Sequence, residues 1–454
     1  MKVLILGAGQ VGRTAAQHLA REPDNEVTVV DSNEAVLREL QSRIDVRTVA
    51  GNASFPGVLD AAGIADTDML VALTSSDEVN MVACEIAHAL YRTPTKIARI
   101  RAPEYTSHDT LFKAGMLAVD VWINPEQLVT EHIERLVRTP GALHVADFAD
   151  GRVRLVGMLA RRGGLLVGQR LHTLRDHMPN ADARICAIYR NNRFVAPDGE
   201  SVVEEGDEIF FVAARDNIQR MMNEITRAEG RVRKLIIAGG GNIGFRLAKL
   251  LEKDFHVKLI ERDAERARRV AEQLEGTIVL AGDAQDEELL VEENIDGTDV
   301  FAAVTNSEEA NVLSSMLAKR LGARKVLALV NRPTYGELMD NRSIDITVSP
   351  QTITIGSLLA HVRKGDVVRV HSLRRGTAEA LETVVHGAEG RSRVVGRRIE
   401  EIDMPNGAAI VALVRGEQVV IAHHDTRVEP EDHVIVFLAD RRQVDAVQRL
   451  FQSD

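Results

Sequence analysis

The 454-residue sequence carries 67 Asp and Glu against 56 Lys and Arg, a formal net charge of −11, which excludes a global attraction to nucleic acid or anionic lipid; no nucleic-acid partner is expected. Hydrophobic residues make up 45% but aromatics only 4%, so the cores must be built from Val, Ile, Leu and Ala, as in buried parallel strands covered by helices. Only two cysteines occur, Cys84 and Cys186, too far apart for a metal motif or a disulfide framework, and no apolar run approaches the ~20 residues that cross a bilayer.

The chain opens directly on an apolar strand, Val3 to Leu6, so no cleavable leader is expected. It turns through Gly7-Ala8-Gly9-Gln10-Val11-Gly12 into a helical segment. In this setting the first glycine permits the turn, the second admits a pyrophosphate and the third allows close helix-strand packing. The phosphates would then sit on the helix N-terminus. The next strand, Val27 to Asp31, ends in a carboxylate 19 residues past Gly12, where a ribose 2′-hydroxyl is held. A helix is predicted over Glu34 to Arg43 and a third strand over Val46 to Ala50, ending at Gly51-Asn52-Ala53. A fourth strand, Met69 to Leu73, runs into Thr74-Ser75-Ser76-Asp77, with Asn80 on the following helix. Ligands of a doubly wound sheet lie outside the carboxyl ends of its strands, so Asn52, Thr74 and Ser75 are expected to line a nucleotide crevice; Ser76 and Asp77 suit N-capping. The fifth strand, Lys96 to Arg101, places Arg99 and Arg101 on one face, where they suit contact with a nucleotide phosphate or, alternatively, a solvated edge or an acidic partner. A sixth strand, Ala118 to Ile123, leads through Asn124-Pro125 to a helix over Gln127 to Arg138.

From Gly141 to about Arg227 the pattern changes to short β-rich runs at Val153 to Ala160, Ile185 to Tyr189 and Glu208 to Ala213, a module of roughly 85 residues that should lean on a neighbour or a copy of itself. A polar hinge, Ala228 to Arg233, precedes a repeat of the whole pattern. Gly239-Gly240-Gly241-Asn242-Ile243-Gly244 echoes the first loop and Glu261 echoes Asp31. Asp283 stands for Asn52, Thr305 and Asn306 for Thr74 and Ser75, and Asn311 for Asn80. The offset between halves drifts only from 232 at Gly7 and Gly239 to 230 at Tyr105 and Tyr335, the mark of internal duplication. The module recurs as well, with Glu205-Gly206-Asp207-Glu208-Ile209 echoed by Pro430-Glu431-Asp432-His433-Val434. Arg99 and Arg101 have Leu329 and Asn331 as counterparts, so the second crevice loses both cations and should bind more weakly or take another ligand.

The fold class expected is α/β: two doubly wound, Rossmann-like parallel-sheet domains (1–125 and 232–350), each followed by a small α+β module (141–228 and 366–454). Asp31 and Glu261 would repel a 2′-phosphate, favouring NAD(H) over NADP(H), and would equally hold the ribose of ATP or ADP. An NAD-dependent oxidoreductase is the alternative reading, but no general acid or base faces a substrate pocket in the pattern: His423, His424 and His433 read as surface or core residues, and no catalytic residue or metal site is assigned. The Arg-rich segment Glu261 to Arg269 reads as a solvated helix face rather than a DNA-binding element.

The tandem order, with Gly7 to Gly12, Asp31, Thr74-Ser75-Ser76-Asp77-Glu78-Val79-Asn80-Met81 and Gly239 to Gly244, resembles the TrkA family, the peripheral NAD-binding regulators of bacterial Trk-type potassium uptake systems, built of RCK (regulator of potassium conductance) domains. The resemblance implies a protein on the cytoplasmic face of a potassium-translocating membrane subunit, peripherally associated with the inner membrane. It implies assembly as a homo-oligomeric RCK ring whose nucleotide state gates the transporter. It also implies nucleotide contacts at Gly7 to Val11, Asp31, Thr74, Ser75 and Arg99, and at Gly239 to Ile243, Glu261, Thr305 and Asn306. The helices Gln127 to Arg138 and Thr352 to Arg363 read as hinges or subunit contacts.

Overall fold

A computed structural model describes residues 1–22, 25–112, 116–173, 182–225, 232–331, 343–362, 367–387 and 392–451. The chain divides into two compact units, Met1–Leu128 with Pro350–Val362, and Val129–Ser349 with Arg363–Asp454.

The first unit is built on a six-stranded sheet, β1 (Lys2–Leu6), β2 (Glu26–Asp31), β3 (Arg47–Ala50), β4 (Met69–Ala72), β5 (Thr95–Arg99) and β6 (Val121–Ile123). Its order is β3-β2-β1-β4-β5-β6, with every pairing parallel. Because the sheet is covered on both faces, its central strands are continuous apolar runs: Val3 to Leu6 and Met69 to Ala72 are buried throughout. The helix Gln10–Leu19 buries Gly12, Ala15, Ala16 and Leu19, a stripe at helical spacing. Against it lies the helix Pro350–Val362, drawn from the far end of the sequence. Thr14 Oγ1 donates to Gln351 Oε1 at 3.2 Å, and Gln351 Nε2 donates to Gln10 Oε1 at 3.1 Å.

Several expected bounds shift. The fifth strand ends at Arg99, not Arg101, because β6 is short and its ladder stops at the Arg99–Ile123 pair. The sixth covers Val121–Ile123 rather than Ala118 to Ile123. The helix expected from Gln127 starts at Pro125, where the missing N–H costs nothing and Asn124 Oδ1 accepts from Gln127 N at 3.1 Å. The helix expected over Thr352 to Arg363 begins at Pro350, and Arg363 lies outside the described residues, as does most of the Ala228 to Arg233 hinge.

The second unit holds the repeat sheet, β12 (Lys234–Ala238), β13 (His256–Glu261), β14 (Thr277–Ala281), β15 (Val300–Ala303), β16 (Lys325–Leu329) and β17 (Ile346–Val348), in the equivalent parallel order β14-β13-β12-β15-β16-β17. The C-terminal part of the Pro125–Arg138 helix belongs here: Arg138 Nη1 is 2.9 Å from Asp254 and its guanidinium lies over the Phe255 ring. The buried Lys325 ammonium donates to Leu136 O at 3.1 Å and Ala142 O at 2.9 Å.

The same unit contains two antiparallel modules. The first is β7 (Ala142–Phe148), β8 (Val153–Leu159), β9 (Ala183–Arg190), β10 (Arg193–Val195) and β11 (Glu208–Ala214), in the order β10-β9-β11-β8-β7. The second is β18 (Val367–Leu373), β19 (Ala378–Val384), β20 (Ala408–Arg415), β21 (Gln418–Ile421) and β22 (His433–Leu438), in the order β18-β19-β22-β20-β21. The modules share one core, in which Phe210 and Phe437 meet at 5.5 Å between ring centres. Polar contacts fix their pairing: Glu382 Oε2 accepts from Ala149 N at 3.0 Å, and Arg374 donates to Glu208 at 2.7 Å while its guanidinium lies 3.7 Å over the Tyr189 ring. The leading strands β7 and β18 and the closing helices Ile218–Ile225 and Val444–Phe451 go beyond the sequence reading. β7 and β18 carry His144, Asp147, Arg369 and His371 among their apolar residues, which hides the strand period. Among the described residues no helix is long and apolar enough to cross a membrane.

Candidate functional site

The order reversal between β1 and β4 puts the first glycine loop at the carboxyl edge of the sheet. Gly7 adopts φ +99°, its N–H donates to Val30 O at 2.7 Å, and a Cβ there would meet Leu73 O at 2.9 Å. A Cβ on Gly12 would sit 1.9 Å from Gly7 O, whereas one on Gly9 would meet no protein atom within 4 Å. Packing of the chain therefore demands the first and third glycines but not the second, which faces open space at a helix N-terminus with no side-chain cap. The repeat is equivalent: Gly239 at φ +109°, Gly244 with 1.8 Å to Gly239 O, and Gly241 unobstructed. Gln10 and Asn242 open the two helices, exposed, with Val11 and Ile243 behind them. Gly12→Ala should destabilise the first unit by about 1–3 kcal/mol, as for overpacking elsewhere, while Gly9→Ala leaves its denaturation midpoint nearly unchanged; paired urea titrations check this.

The two acids close on their loops. Asp31 Oδ2 accepts from Ala8 N at 2.6 Å and Oδ1 from Asn33 N at 2.8 Å. Glu261 Oε2 accepts from Gly240 N at 2.7 Å and Oε1 from Asp263 N at 2.9 Å, and this residue is buried, 7% exposed, where Asp31 is half-buried. The longer acid explains a substitution between the repeats. A Cβ on Gly240 would lie 3.1 Å from Glu261 Oε2, so the residue that is Ala8 in the first half, beside an aspartate, is glycine in the second.

At the end of β4 the structure assembles a latch that the sequence did not announce. The buried Asn80 Oδ1 accepts from Thr74 N at 2.9 Å and Thr74 Oγ1 at 2.7 Å, and its Nδ2 donates to Arg99 O at 2.9 Å. Asn311 repeats this with Thr305 N, Thr305 Oγ1 and Leu329 O. The Thr74 and Thr305 hydroxyls are thus turned inward to hold the loop, leaving Ser75 and Asn306 exposed at the crevice. Ser76 caps the helix through Val79 N, as expected; Asp77 departs from that role, its Oδ2 accepting from Arg101 N at 2.7 Å and Ala102 N at 2.8 Å. Asn52 and Asp283 each accept from the backbone N–H two residues on, Ser54 and Gln285, and so shape their own turns. Recurrence of Asn80 as Asn311 was the one sequence signal that pointed to the latch.

Arg99 and Arg101 part company. Arg101 donates to Ser75 O at 2.5 Å and pairs with Asp77 at 3.7 Å and Glu126 at 3.9 Å. Arg99 donates to Thr74 O, and its buried Nε has no partner; among the described residues no carboxylate pairs with it. Burial, with Arg101 adjacent, pulls its guanidinium below the ordinary value. At the second site the corresponding side chain is the buried Leu329, and Glu308, the counterpart of Asp77, accepts from Asn331 N.

The fold and site define a tandem of Rossmann-like domains with antiparallel modules, the RCK architecture. The TrkA-N domain family matches residues 3–125 and 235–350, and the TrkA-C domain family matches 155–226 and 391–452. The chain belongs to the TrkA family. It is 54% identical over 452 residues to the Trk system potassium uptake protein TrkA of Halomonas elongata, covering 100% of this chain and 99% of that one. It is 52% identical over 453 residues to the protein of the same name from Vibrio alginolyticus, with the same coverage. Among solved structures it is similar in fold to the GsuK channel bound to NAD, with a TM-score of 0.61 at 18% identity over 99% of this chain and 78% of that one. The GsuK RCK domain gives a TM-score of 0.62 at 18% identity, covering 99% and 94%.

Proposed function

We propose that this protein is the nucleotide-sensing regulatory subunit of a potassium uptake system. Its four segments, 1–125, 141–228, 232–350 and 366–454, act as two RCK units. They join copies of the chain in a ring on the inner face of a Trk-type membrane subunit, and nucleotide binding gates that subunit without turnover. The full-length likeness to proteins named for Trk potassium uptake supports the setting.

The observation that carries the ligand reading is the half-buried Arg99 guanidinium, whose buried Nε has no partner and which pairs with no described carboxylate, at the strand edge that also bears the uncapped helix start at Gly9. A dinucleotide's pyrophosphate supplies the missing negative charge, and Asp31 holds the adenosine ribose. NAD(H) is the ligand of the first site. The second lacks both cations and keeps Glu261 buried on Gly240, so NAD(H) binds there more weakly, or ATP or ADP takes its place. Calorimetric titration with NADH, NAD, ATP and ADP tests this. Asp31→Ala removes one isotherm and Glu261→Ala the other; if neither dinucleotide nor adenine nucleotide binds the native chain, the reading fails.

A further inference from the structure

Gln10 opens the helix Gln10–Leu19 within the first glycine loop, and it is exposed. The helix Pro350–Val362 brings Gln351 to that point from its own first turn, within the same compact unit. Gln351 is half-buried, and both ends of its amide are engaged: Oε1 accepts from Thr14 Oγ1 at 3.2 Å, and Nε2 donates to Gln10 Oε1 at 3.1 Å. Thr14 shares the same hydroxyl with Gln10 O at 2.9 Å, one turn back.

An amide fixed at one end is fixed at the other. The Thr14 hydroxyl sets which end of Gln351 accepts, and Gln351 then takes the oxygen of Gln10. Gln10 Nε2 is left as a donor with no partner among the described residues. That donor stands at the start of a helix whose N-cap, Gly9, offers no side chain, beside the loop on which a pyrophosphate would rest. Turned round, the same amide would present oxygen lone pairs to the phosphates. Gln351 therefore decides whether Gln10 attracts or repels an anion there. The residue types belong to the first half only. In the repeat, Asn242 is one methylene shorter than Gln10, Arg246 stands for Thr14, and Glu126, the counterpart of Gln351, offers oxygens alone.

We propose that Gln351 is a positioning residue of the first nucleotide crevice: it turns Gln10 so that Nε2 donates to the pyrophosphate of a bound dinucleotide. This rests on the nucleotide reading of that crevice given above. Coupling between two contacts is reciprocal, so the dinucleotide also holds Gln10 to Gln351 and secures the Pro350–Val362 helix. In sequence that helix follows β17 of the second parallel sheet and leads to β18 of the second module. Occupancy of the first crevice is thereby felt at the chain connection between the two domains of the second half.

The test is a double-mutant cycle on the full chain, read by calorimetric titration with NADH. Gln351→Met keeps the stem and removes the donor; it weakens the first-site isotherm by about 3- to 10-fold and leaves the second unchanged. Gln10→Ala gives a loss of the same order, and the double variant binds no more weakly than Gln10→Ala alone. Gln351→Glu keeps an acceptor for Thr14 but has no donor for Gln10, so it weakens the first isotherm more than Gln351→Met does. A merely structural role for Gln351 would carry its loss into the Gln10→Ala background. Losses that add in the double variant, an unchanged first isotherm in Gln351→Met, or native affinity in Gln351→Glu overturn the proposal while the nucleotide reading stands. A native chain with no NADH isotherm overturns both.

Discussion

Replacing Arg99 by alanine weakens NADH binding at the first crevice by roughly 10- to 100-fold, the worth of losing charge-assisted bonds to a buried phosphate. The expectation follows from what Arg99 does in the chain's own structure, which is little: its bond to Thr74 O fixes a loop that Asn80 already holds through Thr74 N and Oγ1. The loop therefore keeps its shape in Arg99→Ala, and the loss falls on the ligand. Arg101→Ala gives a different result, because Arg101 is spent on Asp77 and Glu126. Its removal disturbs the segment after β5 and lowers affinity less. Calorimetry on the two variants, with the weaker isotherm of the second site as an internal reference, reads the contrast; equal losses would show that Arg99 plays no special part.

Asp432→Ala lowers stability by about 3–5 kcal/mol, the cost of breaking a buried pair from one side. Asp432 is fully buried, at 0% exposure. It takes both arms of the Arg415 fork at 2.9 Å, and its Oδ2 also accepts from Glu429 N at 2.8 Å. One carboxylate thus ties the end of β20 to the turn entering β22. Asp207 does the same for Arg190 and Glu204 N in the first module. Because the modules share a core, the loss propagates to the pair as a whole, and the urea midpoint of the second unit falls. Glu429→Ala, an exposed member of the same cluster, moves the midpoint by less than about 1 kcal/mol.

The sequence displayed the Rossmann halves because buried parallel strands are contiguous apolar runs and the turns between them need glycine at Gly7, Gly12, Gly239 and Gly244. The acids at 31 and 261 could be found by position alone. The division of labour between Arg99 and Arg101 could not, since it depends on where a three-residue edge strand stops pairing. The inward turn of Thr74 was equally hidden, because it needs Asn80, six residues on, to fold back across the end of β5. The polar strands β7 and β18 went unread for a related reason: the polar residues of β18 meet partners more than 200 residues away, His371 at Asp147 O and Arg369 at Asp150.

The helix Pro350–Val362 covers Gln10–Leu19, although more than 300 residues separate them in the chain. Duplication has thus been followed by an exchange that makes the halves inseparable. A polypeptide ended after the first module would leave the outer flank of its nucleotide-loop helix bare and Gln10 without its amide partner, and the detached remainder would carry a helix with nothing to cover. Although the genetic unit is a repeat, the first compact unit is completed only by residues 350–362 of the second half. A mutation at Gln351, remote in sequence from the glycine loop, is in space a mutation next to it.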